Sequence, residues 1–401
     1  MRAHPHSADA AGTGKRVELA DIVRAHGAAF RAGQGLSSVQ HRALRAIEAC
    51  RTAALGGEIA QCSHCGATHY RYHSCRNRHC PKCQTLAKER WLAARRSELL
   101  PVPYFHLVFT LPHELNALAQ GNPRVIYGLL FAAAAETLLE FGRNPRWLGG
   151  EIAATLLLHT WSQTLAQHLH LHALVAGGAL GPEGQWLHPR AGFLFPVKAL
   201  SQVYRGKFLA GLAKLFSGKR LHFAGSTLAM STPCEQQRLR AALRAKPWVV
   251  YAKATMHGTE HVLDYLGRYT HRIAITNERL FRADADTVRF RYRDRAHGNR
   301  RKTLSLAPQE FLRRFLLHVL PRGFMRIRHY GLLANRAKRE RLANARLALD
   351  VPAPQLVPIE SVAVFCLRVM RRDIHQCPVC HIGQLRILAA LPASLHRARP
   401  P

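Results

Sequence analysis

Hydrophobic positions along this chain follow two rhythms. Helical spacing runs through residues 39–55 and ends at Gly56-Gly57, a pair suited to a C-terminal stop. A second helix is expected over 84–99, stopped by Pro101 and Pro103, and a long apolar one over 123–141. Between and after them lie runs that read as strands: 104–111 (YFHLVFTL), 152–161, 169–175 and a short one at 249–252. Helices are expected at 198–216, 259–271, 308–319 and 329–348. Residues 287–293 (TVRFRYR) alternate strictly, with Val288, Phe290 and Tyr292 on one face and Arg289, Arg291 and Arg293 on the other. That pattern is a half-buried strand with a cationic outer face. Residues 1–20 read as a loose tail, and no internal repeat is evident.

Charge narrows the class of partner. Lys and Arg total 58 against 24 Asp and Glu, a formal net charge of +34. A chain so basic repels itself unless a polyanion is near, and nucleic-acid phosphates are the usual one. Arg300, Arg301 and Lys302 follow the cationic strand closely and join Arg289, Arg291 and Arg293 as expected DNA contacts. No apolar run reads as a membrane span of about 20 residues, and the first residues lack the apolar stretch of a signal peptide. A cytoplasmic protein with no membrane partner is therefore expected, and in that reducing setting cysteine pairs spaced C-x-x-C point to metal.

There are ten cysteines. Cys62-x-x-Cys65 and Cys80-x-x-Cys83 are two knuckles, each aiming two thiolates at one point. Together they are expected to hold one tetrahedral Zn²⁺, with Cys75 and His79 as spare ligands. Arg71, Arg76, Arg78, His79 and Lys82 lie around the knuckles and suit phosphate contact. A further C-x-x-C, Cys377 to Cys380, has Cys366, His375 and His381 near it but no second knuckle of decisive spacing.

The most constraining chemistry is His170-Leu171-His172. On a strand the two imidazoles project from one face, a ready grip on a divalent cation, and His168 continues the same period. A third ligand must come from elsewhere: His159 on the preceding strand first, Gln163 second, with His261 an alternative. Mg²⁺ or Mn²⁺ is expected for phosphate chemistry. Farther on, Tyr265 and Tyr269 share one face of the 259–271 helix, with Arg268 and Arg272 placed to hold a phosphate. Gly267 between them would let another backbone approach, the DNA strand being the expected one. A cation to polarise a phosphate and a phenol to attack it are the parts of a DNA nickase that works through phosphotyrosine.

Long blocks of the chain carry a resemblance: SCRNRHCPKC, PVPYFHLVFTLPHELNAL, LDYLGRYTHRIAITN, HGNRRKTLSLAPQEF and LPRGFMRIRHYGLLANR. The chain resembles the IS91-family transposases, two-tyrosine members of the HUH endonuclease superfamily. The resemblance implies an α+β fold whose antiparallel sheet is flanked by helices and preceded by a small zinc-binding module. It implies His170 and His172 as ligands of the catalytic metal and Tyr265 and Tyr269 as nucleophiles. The expected division is a tail at 1–20, a zinc-binding domain at 21–100, a catalytic domain at 101–350 and a C-terminal tail at 351–401. The expected activity is cleavage and rejoining of single DNA strands at element ends and target. No phosphate-binding G-x4-G-K-[S/T] loop is present, so unwinding would fall to a host helicase. A rolling-circle replication initiator and a non-catalytic zinc-containing DNA-binding protein are the competing readings.

Overall fold

The computed structural model describes residues 16–190, 193–254, 261–262, 267, 274–294, 297–354 and 360–394. Helices α1 (Leu19–Gly33) and α2 (Ser38–Glu48) come first, followed by strands β1 (Gly57–Cys62) and β2 (Thr68–Tyr72), helix α3 (Gln84–Arg96) and strand β3 (Tyr104–Thr110). Next are α4 (Asn116–Gly121), α5 (Pro123–Arg143), β4 (Glu151–Trp161), β5 (Gln167–Leu180), the short β6 (Trp186–Leu187), α6 (Val197–Ser217), α7 (Pro233–Ala245) and β7 (Val250–Ala254). The chain continues through β8 (Leu280–Ala283), β9 (Val288–Asp294), β10 (Arg300–Leu306), α8 (Pro308–Leu316), β11 (Ile327–Gly331), α9 (Lys338–Ala348), α10 (Val362–Met370) and β12 (Leu385–Leu391).

Local chemistry sets several of these boundaries. Ser37 Oγ accepts from the Gln40 amide while Gln40 Oε1 accepts from the Ser37 amide, a reciprocal cap that starts α2. Pro123 and Pro308 occupy the first turns of α5 and α8, where a missing N–H costs nothing. Residues 329–331, expected to begin a helix, instead pair with β4 as part of edge strand β11. The helix there begins only at Lys338.

The main sheet is antiparallel in the order β11-β4-β5-β3-β7, with β6 added to the end of β5. Its two faces differ. Phe105, Leu107, Phe109, Leu156, Leu158, Leu169, Leu171 and Ala173 pack with apolar residues of α5 and α6, including Leu130, Phe131, Tyr204 and Phe208. Replacing fully buried Leu171 by Ala would cost about 2–5 kcal/mol. By length and composition α5 could cross a membrane, contrary to the absence of such a run expected above. Most of its apolar window is buried inside the protein. Near its end β5 bulges where it passes β6. Gly178 there has φ 143°, and an added Cβ would lie 2.3 Å from Trp186 Nε1.

The other face of the sheet carries the histidines at one end and a second apolar layer at the other. Tyr104, Leu174 and Ala176 join Leu332, Leu342 and Ala345 there, with Trp91 and Leu92 of α3 against them. Val262 belongs to this same cluster. The expected α+β class with helices on an antiparallel sheet is what the structure shows.

Packing crosses the expected boundaries at residues 100 and 350. Leu19, Ile22, Leu44 and Ile47 share one core with Val288, Phe290, Phe311 and Phe315, so α1 and α2 rest on the small β10-β9-β8 sheet and α8. At the other end, β12 pairs with β1 from Gly57↔Leu391 to Cys62↔Leu385. The supposed C-terminal tail thus supplies the outer strand of the β12-β1-β2 sheet.

His318 ties the histidine sheet to α8. Its Nε2–H donates to the Leu165 carbonyl at 3.1 Å, and its Nδ1 lies 3.1 Å from Thr160 Oγ1. Burial pushes its pKa down to about 4, against the opposing pull of the Leu165 carbonyl. The unfolded chain, with an ordinary histidine pKa of about 6.5, binds a proton that the native protein refuses. The resulting stability is present above pH ~6.5 and is lost as pH falls towards ~4, about 3 kcal/mol in all. Denaturant midpoints between pH 7 and pH 4.5 should fall less steeply for His318→Gln than for the unaltered chain. Equal slopes would rule out this assignment.

Candidate metal and DNA-cleavage site

Strand β5 is central and pairs on both sides, so its register is doubly fixed. His170 lies opposite Thr110 of β3 and His159 of β4, and His172 opposite Val108 and Leu157. Opposed residues in an antiparallel pair share a face, which brings His159, His170 and His172 together. All three are buried, and one ring nitrogen from each lies within 4.8 Å of the others. The structure therefore gathers the two strand histidines with the first choice of third residue. Gln163 lies just past the end of β4, where its backbone carbonyl accepts from Arg279, and His261 is exposed. His168 is exposed too, with its carbonyl turned to His170.

Hydrogen bonds orient the rings. A carbonyl can only accept, so His170 Nδ1–H donates to His168 O at 2.9 Å, and the neutral ring then carries its lone pair on Nε2, the atom that a cation would take. That Nε2 is 3.2 Å from His172 Nε2. Ligand bonds of about 2.1 Å at right angles place nitrogens about 3 Å apart, so the pair fits two adjacent positions of one metal. His172 Nδ1 faces His106 Nε2 at 2.9 Å. With a cation bound, His172 must donate from Nδ1, and His106 must accept at Nε2. Burial, and next the charge of Lys253 across the strand pair, lower the His106 pKa to about 4 and keep it neutral for that task. Trp161 stacks on His159 with centroids 4.6 Å apart.

Sequence reading missed His106. Its signal was a single polar residue inside the apolar strand YFHLVFT, on the face opposite Phe105 and Leu107.

Tyr265, Tyr269, Arg268 and Arg272 lie outside the described residues. Their neighbours indicate what the segment meets. Val262 is fully buried on the side of the sheet that carries the histidines. Gly267 is helical, and an added Cβ would be 3.1 Å from both Leu92 Cδ1 and Lys88 Cε of α3. The close approach at this glycine is therefore made by the helix that follows Cys83, in place of the DNA expected there.

The cysteines group differently from the expectation. Cys50, Cys75, Cys80 and Cys83 form one cluster, and Cys62, Cys65, Cys377 and Cys380 another, so the four thiols assigned to one Zn²⁺ are split. Strand geometry explains the split. The five steps along β1 from Gly57 to Cys62, at about 3.3 Å each, carry Cys62 about 17 Å from the start of the strand. β2 then returns the chain, and Cys75 comes back beside Cys50, its amide 3.5 Å from Cys50 Sγ. Cys50 had no C-x-x-C partner to mark it. In the first cluster Sγ separations are 3.6 Å (Cys50–Cys83), 3.6 Å (Cys75–Cys83) and 3.7 Å (Cys50–Cys80). Tetrahedral Zn–S bonds of about 2.3 Å require sulfurs about 3.8 Å apart, so this donor set fits zinc. Hydrogen bonds among these thiols lower the pKa of Cys83 and bring Cys50 down to about 7 while raising Cys75 and Cys80.

Several basic residues expected at phosphate are committed within the protein. Arg78 donates to the Phe324 carbonyl at 2.8 Å, Lys82 pairs with Glu18 at 2.7 Å, and Arg71 bonds the Ile374 carbonyl. His79 is half-buried, with its pKa lowered to about 3 first by desolvation, and stands outside both sulfur clusters. The cationic strand is as expected: Arg289, Arg291 and Arg293 are exposed while Val288 and Phe290 are fully buried. Arg301 shares their face, opposite Arg293. Lys302 lies opposite Tyr292 on the reverse face, 2.7 Å from Asp294, and Arg300 alternates with Arg301 onto that same reverse face.

Comparison with known proteins bears on this arrangement. Residues 22–111 match the family model "Transposase zinc-binding domain", and residues 153–341 match the model "Putative transposase". The "Putative transposase y4qJ" of Sinorhizobium fredii (strain NBRC 101917 / NGR234) is 48% identical over 377 residues, covering 92% of this chain and 94% of that protein. The "Transposase for insertion sequence element IS801" of Pseudomonas savastanoi pv. phaseolicola is 30% identical over 358 residues, covering 86% and 83%. Among solved structures, a chain described as a conjugative relaxase TRWC in complex with oriT DNA, copper-bound, matches 42% of this chain and 71% of its own. It does so at 16% identity and a TM-score of 0.22.

The role given to His106 has a measurable consequence. Loss of a residue that orients a metal ligand typically weakens binding about 10–100-fold. Mn²⁺ titration of His106→Ala by calorimetry should show a loss in that range, with the circular dichroism spectrum unchanged. Unchanged Mn²⁺ affinity would remove His106 from the site.

Proposed function

Since this chain belongs to the IS91 family of transposases, we propose that it moves DNA by cutting and rejoining single strands through a 5′-phosphotyrosine intermediate. The convergence of His159, His170 and His172 from two paired strands is the observation that supports this most. A divalent cation there, Mg²⁺ or Mn²⁺, would withdraw charge from the scissile phosphate. The three imidazoles of His159, His170 and His172 would hold the cation, which would supply charge to polarise the phosphate. In this reading the phenol oxygen of Tyr265 or Tyr269 attacks phosphorus in line. The P–O bond to the 3′ oxygen breaks, the tyrosine proton is lost to solvent, and the departing oxygen takes up a proton as a 3′-OH. The phosphodiester energy stays in the tyrosyl ester, so rejoining by a 3′-OH needs no ATP. Two tyrosines allow a second strand to be engaged while the first remains linked. Arg268 and Arg272 hold the neighbouring phosphates.

The substrates in this reading are single strands at the element ends and at the target, within the cytoplasm. A host helicase separates them. Cys50, Cys75, Cys80 and Cys83 would hold Zn²⁺, which would brace the start of α3, because Cys83 is the residue at the head of that helix. A rolling-circle replication initiator would use the same chemistry, but both relatives are described as transposases.

With Mn²⁺ and single-stranded element ends, the protein should form an adduct that survives SDS. Chelator should abolish it, as should His170→Ala or His172→Ala. Tyr265→Phe and Tyr269→Phe should each retain cleavage but lose complete strand transfer, and the double variant should form no adduct. Cleavage at the same position by the double variant would mean that water is the nucleophile.

Binding should weaken with salt. Each phosphate neutralised on a single strand contributes about 0.7 to the slope of log K against log salt. Replacing Arg289, Arg291 and Arg293 by Gln should therefore flatten the slope by about 2. Lys302→Gln, which removes a cation already paired with Asp294, should change it little. Equal effects from the two changes would place DNA elsewhere.

A further inference from the structure

Residues 377–380 lie beyond the stretches matched by either family model, which end at 111 and 341. They nevertheless meet Cys62 and Cys65, more than 300 positions earlier in the sequence. Cys62 Sγ is 3.6 Å from Cys380 Sγ and Cys65 Sγ is 3.8 Å from Cys377 Sγ. Those are the edges of a tetrahedron around zinc, and they are far too long for the ~2.05 Å of a disulfide.

The backbone repeats one design at both pairs. The amide two residues after the first cysteine points at its sulfur in each case: His64 N to Cys62 Sγ, and Val379 N to Cys377 Sγ, both 3.4 Å. The amide four residues on returns to the first cysteine's carbonyl: Gly66 to Cys62 at 3.2 Å, and His381 to Cys377 at 3.0 Å. Both of those residues are left-handed, with φ 71° and 55°. Amides aimed at sulfur stabilise thiolate, the form that binds metal. Contact between the two turns is tight. Ser63 N donates to the Gln384 carbonyl at 2.9 Å, and Gln384 N donates to Ser63 Oγ at 3.1 Å. A Cβ on Gly383 would sit 2.4 Å from Cys62 Sγ.

We propose that Cys62, Cys65, Cys377 and Cys380 bind a second structural Zn²⁺, which joins the C-terminal segment to the N-terminal module. The two turns and the β12-β1-β2 sheet then form a zinc ribbon drawn from both ends of the chain. Four thiolates around one divalent ion leave no open position, so the role is structural. His69, whose Nε2 is 3.7 Å from Cys377 Sγ, lies beside the ion as a hydrogen-bond donor to sulfur.

Elemental analysis of the full chain tests this. The unaltered protein should hold two zinc ions per chain. Cys377→Ser with Cys380→Ser should hold one, and Cys80→Ser with Cys83→Ser should also hold one. If the first pair retains all the zinc of the unaltered chain while the second pair loses it all, a single site at Cys62, Cys65, Cys80 and Cys83 is correct and the proposal fails. Alkylation of the unaltered protein, followed by mass spectrometry, gives an answer that needs no variant to fold. Cys65 and Cys234 are both exposed. Cys234 should react at once, while Cys65 should stay protected with Cys62, Cys377 and Cys380 until chelator frees all four. Reaction of Cys65 or Cys380 as fast as Cys234, without chelator, would overturn the proposal.

Discussion

Everything chemical in this protein depends on β5 being paired on both edges and covered on both faces. Alternation gives it two unlike sides: Leu169, Leu171 and Ala173 towards α5 and α6, His170 and His172 away from them. A slip of one residue would drive the imidazoles into the apolar helical layer and turn the leucines into the histidine cluster. Hydrophobic burial thus fixes the position of the polar site. Leu171, buried against the helices, thereby sets which way the imidazoles on either side of it point.

A second dependence runs through α3. It begins at Cys83, a member of the first sulfur cluster, and meets Gly267 through Lys88 and Leu92. At its far end Arg95 reaches His329 on β11 at 3.2 Å and pairs with Glu98 at 2.8 Å. One helix therefore touches a cysteine cluster, Gly267 and the edge of the main sheet. The zinc-binding part of the chain is a wall of the catalytic part, which is why a boundary at residue 100 fails to describe it.

What could be read from sequence was what local period controls. The alternation in TVRFRYR gave β9 and its arginine face, and HLHLH gave the strand that carries His170 and His172 on one face, because strand geometry turns spacing into direction. His159 followed from the strand that had to lie beside it. The cysteine partners were not legible, since C-x-x-C spacing defines a turn and leaves its partner turn unspecified. Cys50 had no such turn at all, and Cys377 waited on a pairing between β1 and β12 that no short-range signal announces. His106 was hidden for the same reason: only the register of β3 on β5 shows that it meets His172. The packing of α1 and α2 on β9 and α8 is likewise a contact between distant segments, with nothing in either amphipathic pattern to name the other.

The β1-β12 pairing has a consequence in time. Cys65 and Cys377 are 312 positions apart. At about 5–20 residues per second of synthesis, the first strand exists for about 15–60 s before its outer neighbour is made. Throughout that interval one edge of β1 is unpaired and two thiols face no partner. A product ended early by a stop or a frameshift would keep that open edge permanently. It would be a target for proteases and for other strands, and so for removal. The sheet that β1 begins is therefore completed only after the residues between it and β12 have been made.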